Sequence, residues 1–209
     1  MFDDRRDAGL RLGEKLQSYR ESSPIVLAIP RGGVEISDEV SRALDAELSL
    51  IISRKLPMPG NPETGFGAIA EDGSRYIVPD AGMLISQGVI QQTVKEQKAV
   101  IEKRKRVLRG GRPLPDLDER TAILVDDGIA MGSTMRAAVC CCRNRKAARV
   151  VVAAPVTGAA VRDEMRKIAD DVVILETPPN FRAVAQVYRN WSDVSDEEVL
   201  EILERRKPG

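Results

Sequence analysis

The chain of 209 residues contains no histidine. Catalysis by a Ser-His-Asp or Cys-His constellation is therefore excluded. Cysteine is almost as scarce, and the three thiols are the consecutive Cys140, Cys141 and Cys142. Adjacent positions on a helix point in different directions, so without histidine they cannot form a tetrahedral zinc cage. They read as reduced, small packing residues. Aromatic side chains make up only 3% of the chain, and 32 Lys+Arg balance 32 Asp+Glu. Zero formal net charge gives no long-range field for nucleic acid or an anionic membrane, so any basic site has to be local. No apolar run is long enough to span a bilayer, and the opening "MFDDRRDAGLRLGEKL" carries no apolar signal core. The expectation is a cytoplasmic enzyme or binding protein with no membrane partner and no nucleic-acid partner.

What is present is ordinary for a folded chain, 43% hydrophobic and 31% charged. The length suits a single domain over 1–209. Leu10, Leu12 and Leu16 among charges predict a helix before Pro24. "IVLAIPRGG" predicts a strand over 25–29, stopped by Pro30 and two glycines. Ile36, Val40, Ala43 and Leu44 follow at helical spacing, and "ELSLII" (47–52) is the next strand. A second strand–helix–strand unit runs through "TAILV" (121–125), a helix carrying Met135, Ala138, Val139 and Cys142 on one face, and "ARVVVAAP" (148–155). A helix near 158–169 and the strand "DVVILE" (171–176) complete the pattern. Short apolar strands alternating with amphipathic helices specify an α/β fold with a mostly parallel sheet flanked by helices. Ligands in such sheets sit at the carboxyl ends of the strands.

The middle of the chain differs. "GAIAEDGSRYIV" (67–78) sets Asp72-Gly73 between two apolar runs, a β-hairpin signal. Ile90, Val94, Ile101 and Leu108 mark one stripe of a long charged helix that ends at Gly110-Gly111. Its basic run, Lys103 to Arg106, has little aromatic company and reads as a solvated face. Toward the C-terminus, Ser195 and Glu198 have capping-box spacing, with Val194 and Val199 placed for a hydrophobic staple. Tyr188 and Trp191 read as anchors of that last helix.

The stretch with chemistry in it is "ILVDDGIAMGSTM", residues 123–135. On a regular strand Asp126 and Asp127 would point to opposite faces. A turn at Gly128 lets both approach one ligand from the solvent side. The backbone from Ala130 to Thr134 then opens a helix, whose unpaired N–H groups and dipole favour an anion, and Ser133 and Thr134 add hydroxyls. Two hydroxyl-accepting carboxylates beside a phosphate cradle suit a sugar phosphate. A receiver-like or generic α/β turn, with aspartates capping the helix or holding magnesium, remains equally open on spacing alone. The dinucleotide G-x-G-x-x-G loop and the P-loop are both absent.

"ILVDDGIAMGST" resembles the phosphoribosyl-pyrophosphate (PRPP) motif of the type I phosphoribosyltransferases. "IPRGGVEISDEVSRAL" resembles that family's pyrophosphate loop, and "SRKLPMPGNPE" is similar to the strand-end Arg-Lys and mobile loop of its adenine-type members. With "GAIAEDG" and "FRAV…W", these stretches resemble an uncharacterised bacterial branch of the family. The resemblance implies a phosphoribosyltransferase-like sheet with a small hood from the terminal segments and a hairpin and long-helix insertion over about 62–112. It implies that Asp126 and Asp127 accept hydrogen bonds from the ribose hydroxyls and reach a Mg²⁺ ion only indirectly, through ribose or water. Ala130, Met131, Gly132, Ser133 and Thr134 would hold the 5-phosphate. Arg31 and Gly32 would cradle pyrophosphate, and Arg54 or Lys55 would neutralise its developing charge. On this carry-over the catalytic set is Asp126, Asp127, Arg31 and Lys55, and the "RKLPMPGNP" loop could close as a lid.

Two positions depart from or refine the pattern. Where the family ordinarily places Thr or another small residue, this chain has Met131, which cannot donate the hydroxyl bond, a loss of about 1.5–3 kcal/mol. Ala130 stands where hypoxanthine/guanine members carry an acid, and so matches the adenine type. Phe181, after "TPPN", lies where the family contacts the base and is open to stacking or to simple packing. The implied function is transfer of a 5-phosphoribosyl group from PRPP to a nucleobase-like acceptor with Mg²⁺ as cofactor. The alternative is a non-catalytic PRPP- or nucleotide-binding regulator of the same fold. A homodimer is compatible with either.

Overall fold

The computed structural model describes residues 1–206, so Lys207 to Gly209 of the expected 1–209 domain lie outside the described residues. So do the side chains of Pro62 and Glu63 in the quoted loop motif, and those of residues 82–84. The charged opening segment folds as helix α1 (Arg5–Lys15), capped by the Asp4 carboxylate, which accepts from the Asp7 amide at 2.9 Å. Leu12 and Leu16 are buried as the periodicity requires, but Leu10 is exposed, because only one stripe of α1 meets the sheet. Strand β1 (Ile25–Ala28) follows, then helix α2 (Gly33–Leu44) and strand β2 (Glu47–Leu50).

The chain then leaves the main sheet. Strands β3 (Ser53–Met58), β4 (Asn61–Ala70) and β5 (Arg75–Ile77) form a separate antiparallel sheet in that order. The hairpin signal at Asp72-Gly73 is the β4–β5 turn, where Gly73 takes φ +92° and the Asp72 carboxylate accepts from the Ser74 amide. The expected mobile loop "RKLPMPGNP" (54–62) is instead mostly strand, with β3 running to Met58 and β4 starting at Asn61, and the pairing shifts register at Leu56/Pro57 and Pro57/Met58. Helices α3 (Pro79–Leu84) and α4 (Gln87–Arg109) follow, and α4 stops at Gly110 with φ +59°. Ile90, Val94 and Ile101 of α4 pack on Ile52, Leu56, Phe66 and Ile69, covering one face of the small sheet.

The main sheet resumes with β6 (Thr121–Val125), helix α5 (Ser133–Asn144), β7 (Arg149–Val156), α6 (Ala159–Met165), β8 (Asp171–Glu176) and finally α7 (Asp196–Arg205). Its five strands are parallel in the order β2-β1-β6-β7-β8. Near-continuous apolar runs are what a sheet covered on both faces demands. Helices α1 and α2 cover one face through Leu12, Leu16, Ile36 and Val40. Helix α5 covers the other with Met135, Ala138, Cys141 and Cys142, and Ala68 and Ala70 of the small sheet join that cluster. The small sheet is therefore held between α4 and α5, which brings β3 toward the start of α5.

The capping box of Ser195 and Glu198 forms, and Val194 and Val199 share an apolar cluster with Ala28 and Leu50. Tyr188 and Trp191 do not anchor α7. They pack on each other and on the N-terminal segment: Phe2 lies 5.6 Å from Tyr188, and the Arg5 guanidinium lies 3.9 Å from the Trp191 ring centre. No helix among the described residues is long and apolar enough to cross a membrane.

Candidate functional site

Strand β6 ends at Val125, whose carbonyl accepts from the Ile29 amide. The loop after it is pinned on the far side by Ile129 N–H to the Val156 carbonyl (2.9 Å) and by the buried Thr157 hydroxyl to the Ile129 carbonyl (2.7 Å). Between these pins the chain must turn, and Gly128 is required there because a β-carbon would sit 2.6 Å from Val184. The turn presents the two acids differently. Asp126 lines a cleft of about 280 Å³ together with Lys55, Gly65, Gly67 and residues 128–135. Asp127 lies beside that cleft, with its Oδ2 accepting from Arg5 Nε at 2.9 Å and its carbonyl accepting from the Tyr188 hydroxyl at 2.7 Å. The expectation of a solvent-facing pair is corrected here, since the Asp127 side chain is 16% exposed and the Arg5 side chain 6%.

The Asp126 carboxylate folds back on the main chain, its Oδ1 accepting from the Asp127 backbone N–H at 2.9 Å. Burial, then the neighbouring Asp127 charge, raises Asp126 well above the usual carboxylate range. Burial also raises Asp127, but the Arg5 charge and hydrogen bond oppose it. Glu35, 3.4 Å from Arg5, is raised by burial as well. One guanidinium thus faces three crowded carboxyl groups. Protons, or a bound cation or hydroxyl donors, relieve that crowding.

Behind the acids, Gly132 (φ +76°) hands the chain into α5. A β-carbon on it would meet Met165 Cε at 2.8 Å and Arg136 Nη1 at 3.0 Å, so the bend is both left-handed and tightly packed. Among the described residues, the amides of Ala130, Met131, Gly132, Ser133 and Thr134 donate to no protein acceptor. They stand at the positive end of a twelve-residue helix, on the cleft wall. Met131 is 65% exposed and is itself among the cleft-lining residues, whereas Gly132 next to it is buried.

The other wall comes from β1 and β3. The Pro30–Arg31 peptide is cis, and Gly32 and Gly33 pass directly against the acid loop. Arg31 reaches Asp196 of α7 at 3.8 Å. Strand alternation sends Arg54 and Lys55 to opposite faces of the small sheet: Lys55 lines the cleft, while Arg54 Nε lies 3.5 Å from Gln97 of α4. Burial, with the nearby charges of Arg104 and Arg31, lowers the Arg54 pKa. The structure therefore brings Asp126, Lys55 and residues 130–134 into one cleft. It sets Asp127, Gly32 and Arg31 beside that cleft and Arg54 across the sheet. Phe181 is half-buried, 3.7 Å from the β-carbon position of Gly158 and, like Val184, packed against the apolar cluster that includes Val156, and it is not among the cleft-lining residues. Sequence reasoning missed Arg5, Glu35 and Tyr188. No local pattern marks them, because Arg5 lies 122 residues from Asp127 and Tyr188 lies 61 residues from it.

The sequence model of the phosphoribosyl transferase domain matches residues 11–190. The chain belongs to the phosphoribosyl transferase family. A Mycobacterium tuberculosis protein provisionally named phosphoribosyl transferase is 39% identical over 207 residues, 98% of this chain. The chain spans about half the length of that curated relative, 47% of it. The solved structure of TT1426 from Thermus thermophilus is 38% identical, covers 99% of each chain and superposes with a TM-score of 0.84. The AQ2163 protein of Aquifex aeolicus, at 12% identity and a TM-score of 0.53 over 83% of this chain and 73% of that one, shares the fold alone. This phosphoribosyl transferase domain thus carries its acid loop at the carboxyl end of β6, in the middle of a parallel sheet, where open α/β sheets bind ligands.

Proposed function

We propose that the chain binds PRPP in the cleft between the acid loop and β3 and transfers its phosphoribosyl group to a nucleobase-like acceptor. The observation that carries this reading is the row of five unpaired amides, Ala130 to Thr134, beside Asp126 at a helix N-terminus. Those amides, with the Ser133 and Thr134 hydroxyls, hold the 5-phosphate. Asp126 and the oxygen of Asp127 not taken by Arg5 accept from the ribose diol, which fixes the sugar for attack at C1. Arg31 and the Gly32 backbone receive the pyrophosphate, and Lys55 neutralises it from the opposite wall. The acceptor nitrogen forms the new bond to C1 as the C1–O bond to pyrophosphate breaks; pyrophosphate departs with that electron pair, and the proton of the acceptor N–H is released to solvent.

The donor set fits a Mg²⁺ ion carried by the substrate rather than caged by the protein. Among the described residues no group of three or more Asp, Glu, Cys or His could hold a metal. One oxygen of each aspartate is already engaged within the protein. When bound, magnesium supplies charge neutralisation on pyrophosphate, and Asp126 and Asp127 would reach it through ribose oxygens or water.

A PRPP-binding regulator is the second reading, favoured by Met131 standing where a hydroxyl would help hold the phosphate. Pyrophosphate release from PRPP and Mg²⁺, assayed across a panel of nucleobases, separates the two. Release with one base supports the transferase. Binding without release with any base supports the regulator, and absence of binding overturns both.

A further inference from the structure

Arg5 belongs to none of the motif stretches, yet it is the most enclosed cation beside the acids, at 5% exposure. Its guanidinium is held on three sides. Nε donates to Asp127 Oδ2 at 2.9 Å, while Nη1 donates to the Ser192 carbonyl at 2.8 Å and to Glu35 Oε2 at 3.4 Å. Its flat face lies 3.9 Å from the centre of the Trp191 ring. A planar fork gripped in this way has little freedom left, unlike a lysine ammonium. The room for the pair comes from Gly32, whose missing β-carbon would stand 1.8 Å from Asp127 Oδ2 and 3.0 Å from Arg5 Nε.

These contacts join α1, α2 and the 188–192 segment at the acid loop. The segment is tied down independently by the Tyr188 hydroxyl on the Asp127 carbonyl and by Arg189 N–H on the Phe2 carbonyl. We propose that Arg5 is the positioning residue of the acid pair: it locks the Asp127 carboxylate so that the second oxygen faces the sugar diol, and it links that oxygen's occupancy to Trp191. The proposal rests on the PRPP reading above. Arg5 is absent from the cleft lining. It acts through Asp127.

A strut that merely stabilises the fold would affect every ligand alike, whereas a positioning residue affects only ligands with a diol. The test compares ribose 5-phosphate with 2,3-dideoxyribose 5-phosphate, which keeps the phosphate and lacks both hydroxyls, by titration calorimetry. The wild-type chain should prefer the diol by about ten- to a hundredfold, as expected of hydrogen bonds to a charged acceptor. In Arg5→Gln that preference should fall toward one while affinity for the dideoxy sugar holds. Trp191 is the single tryptophan, so its emission should shift on ribose 5-phosphate binding in the wild type and not in the variant. Should Arg5→Gln fail to fold, Arg5→Lys keeps the charge without the fork and should show a reduced preference and a smaller shift. A folded variant with the wild-type preference, or equal weakening toward both sugars, overturns the positioning role. Failure of the wild type itself to bind either sugar phosphate, or to prefer the diol, instead removes the PRPP reading and this proposal with it.

Discussion

Gly32 and Asp127 share what would be one side chain's space, since a β-carbon on Gly32 would stand 1.8 Å from Asp127 Oδ2. The loops after β1 and β6 are packed against each other here, and the absence of a side chain on one lets the carboxylate of the other meet Arg5. Gly32→Ala should therefore expel the carboxylate from its ion pair. Overpacking of this kind costs about 1–3 kcal/mol, and PRPP affinity should fall at least about tenfold by loss of a charged hydrogen bond. Thermal melting and titration calorimetry read the two effects. Unchanged affinity in a folded variant would mean that Asp127 plays no part in binding.

Met131 offers a cleaner separation of side chain from backbone. It is 65% exposed, and the amides of the bend have no acceptor among the described residues, so Met131→Ala should leave stability within about 0.5 kcal/mol and PRPP affinity within about twofold. Met131→Thr restores a hydroxyl and should tighten PRPP binding up to about tenfold. Weaker binding by the threonine variant would show that methionine itself contributes to the site.

The crowded carboxyls make stability depend on pH. Burial, followed by the Asp127 charge, raises Asp126 well above its ordinary value. The folded chain then keeps a proton that the unfolded chain releases from about pH 4 upward. Since the unfolded state binds fewer protons in that interval, stability falls as pH rises until the folded carboxyl has also ionised. Asp126→Asn removes this dependence. Its melting temperature relative to wild type should climb as pH is raised above about 4 and then level off. A difference that stays constant or shrinks over that range would contradict the assignment.

The three adjacent thiols should behave as separate environments. Cys140 is exposed, whereas Cys141 and Cys142 are buried. Burial raises both buried thiols, Cys142 to about 12, and it is the thiolate that reacts. Iodoacetamide at pH 8 should add one group to the native chain, at Cys140, and three after denaturation, as read by mass spectrometry. Two or more additions to the native chain would show that α5 opens at its C-terminal end.

What is legible in the sequence is local. Strands β6 and β8 lie where their apolar runs end, the α4 stripe and its Gly110 stop are as spaced, and the capping box needs only Ser195 and Glu198. The strand β3 is illegible because Pro57 and Pro59 read as loop. It pairs with β4 despite them by shifting register at Pro57. The Arg54 and Lys55 pair looks interchangeable until the strand sets them on opposite faces. Arg5 is invisible for a different reason: its partners Asp127, Glu35 and Ser192 come from three distant stretches, and only the fold makes them neighbours. Trp191 reads as an anchor of α7 because both are near the end of the chain, but its ring is committed to Arg5.

The central claim is that one bend clasps a phosphate while the adjoining acids grip a diol. A crystal structure of the chain with Mg²⁺ and a non-hydrolysable PRPP analogue tests it most directly. The account predicts the 5-phosphate within hydrogen-bond distance of the amides of residues 130–134 and the ribose hydroxyls on Asp126 and Asp127. A fully bound analogue seated elsewhere, with those amides still unpaired, would contradict it.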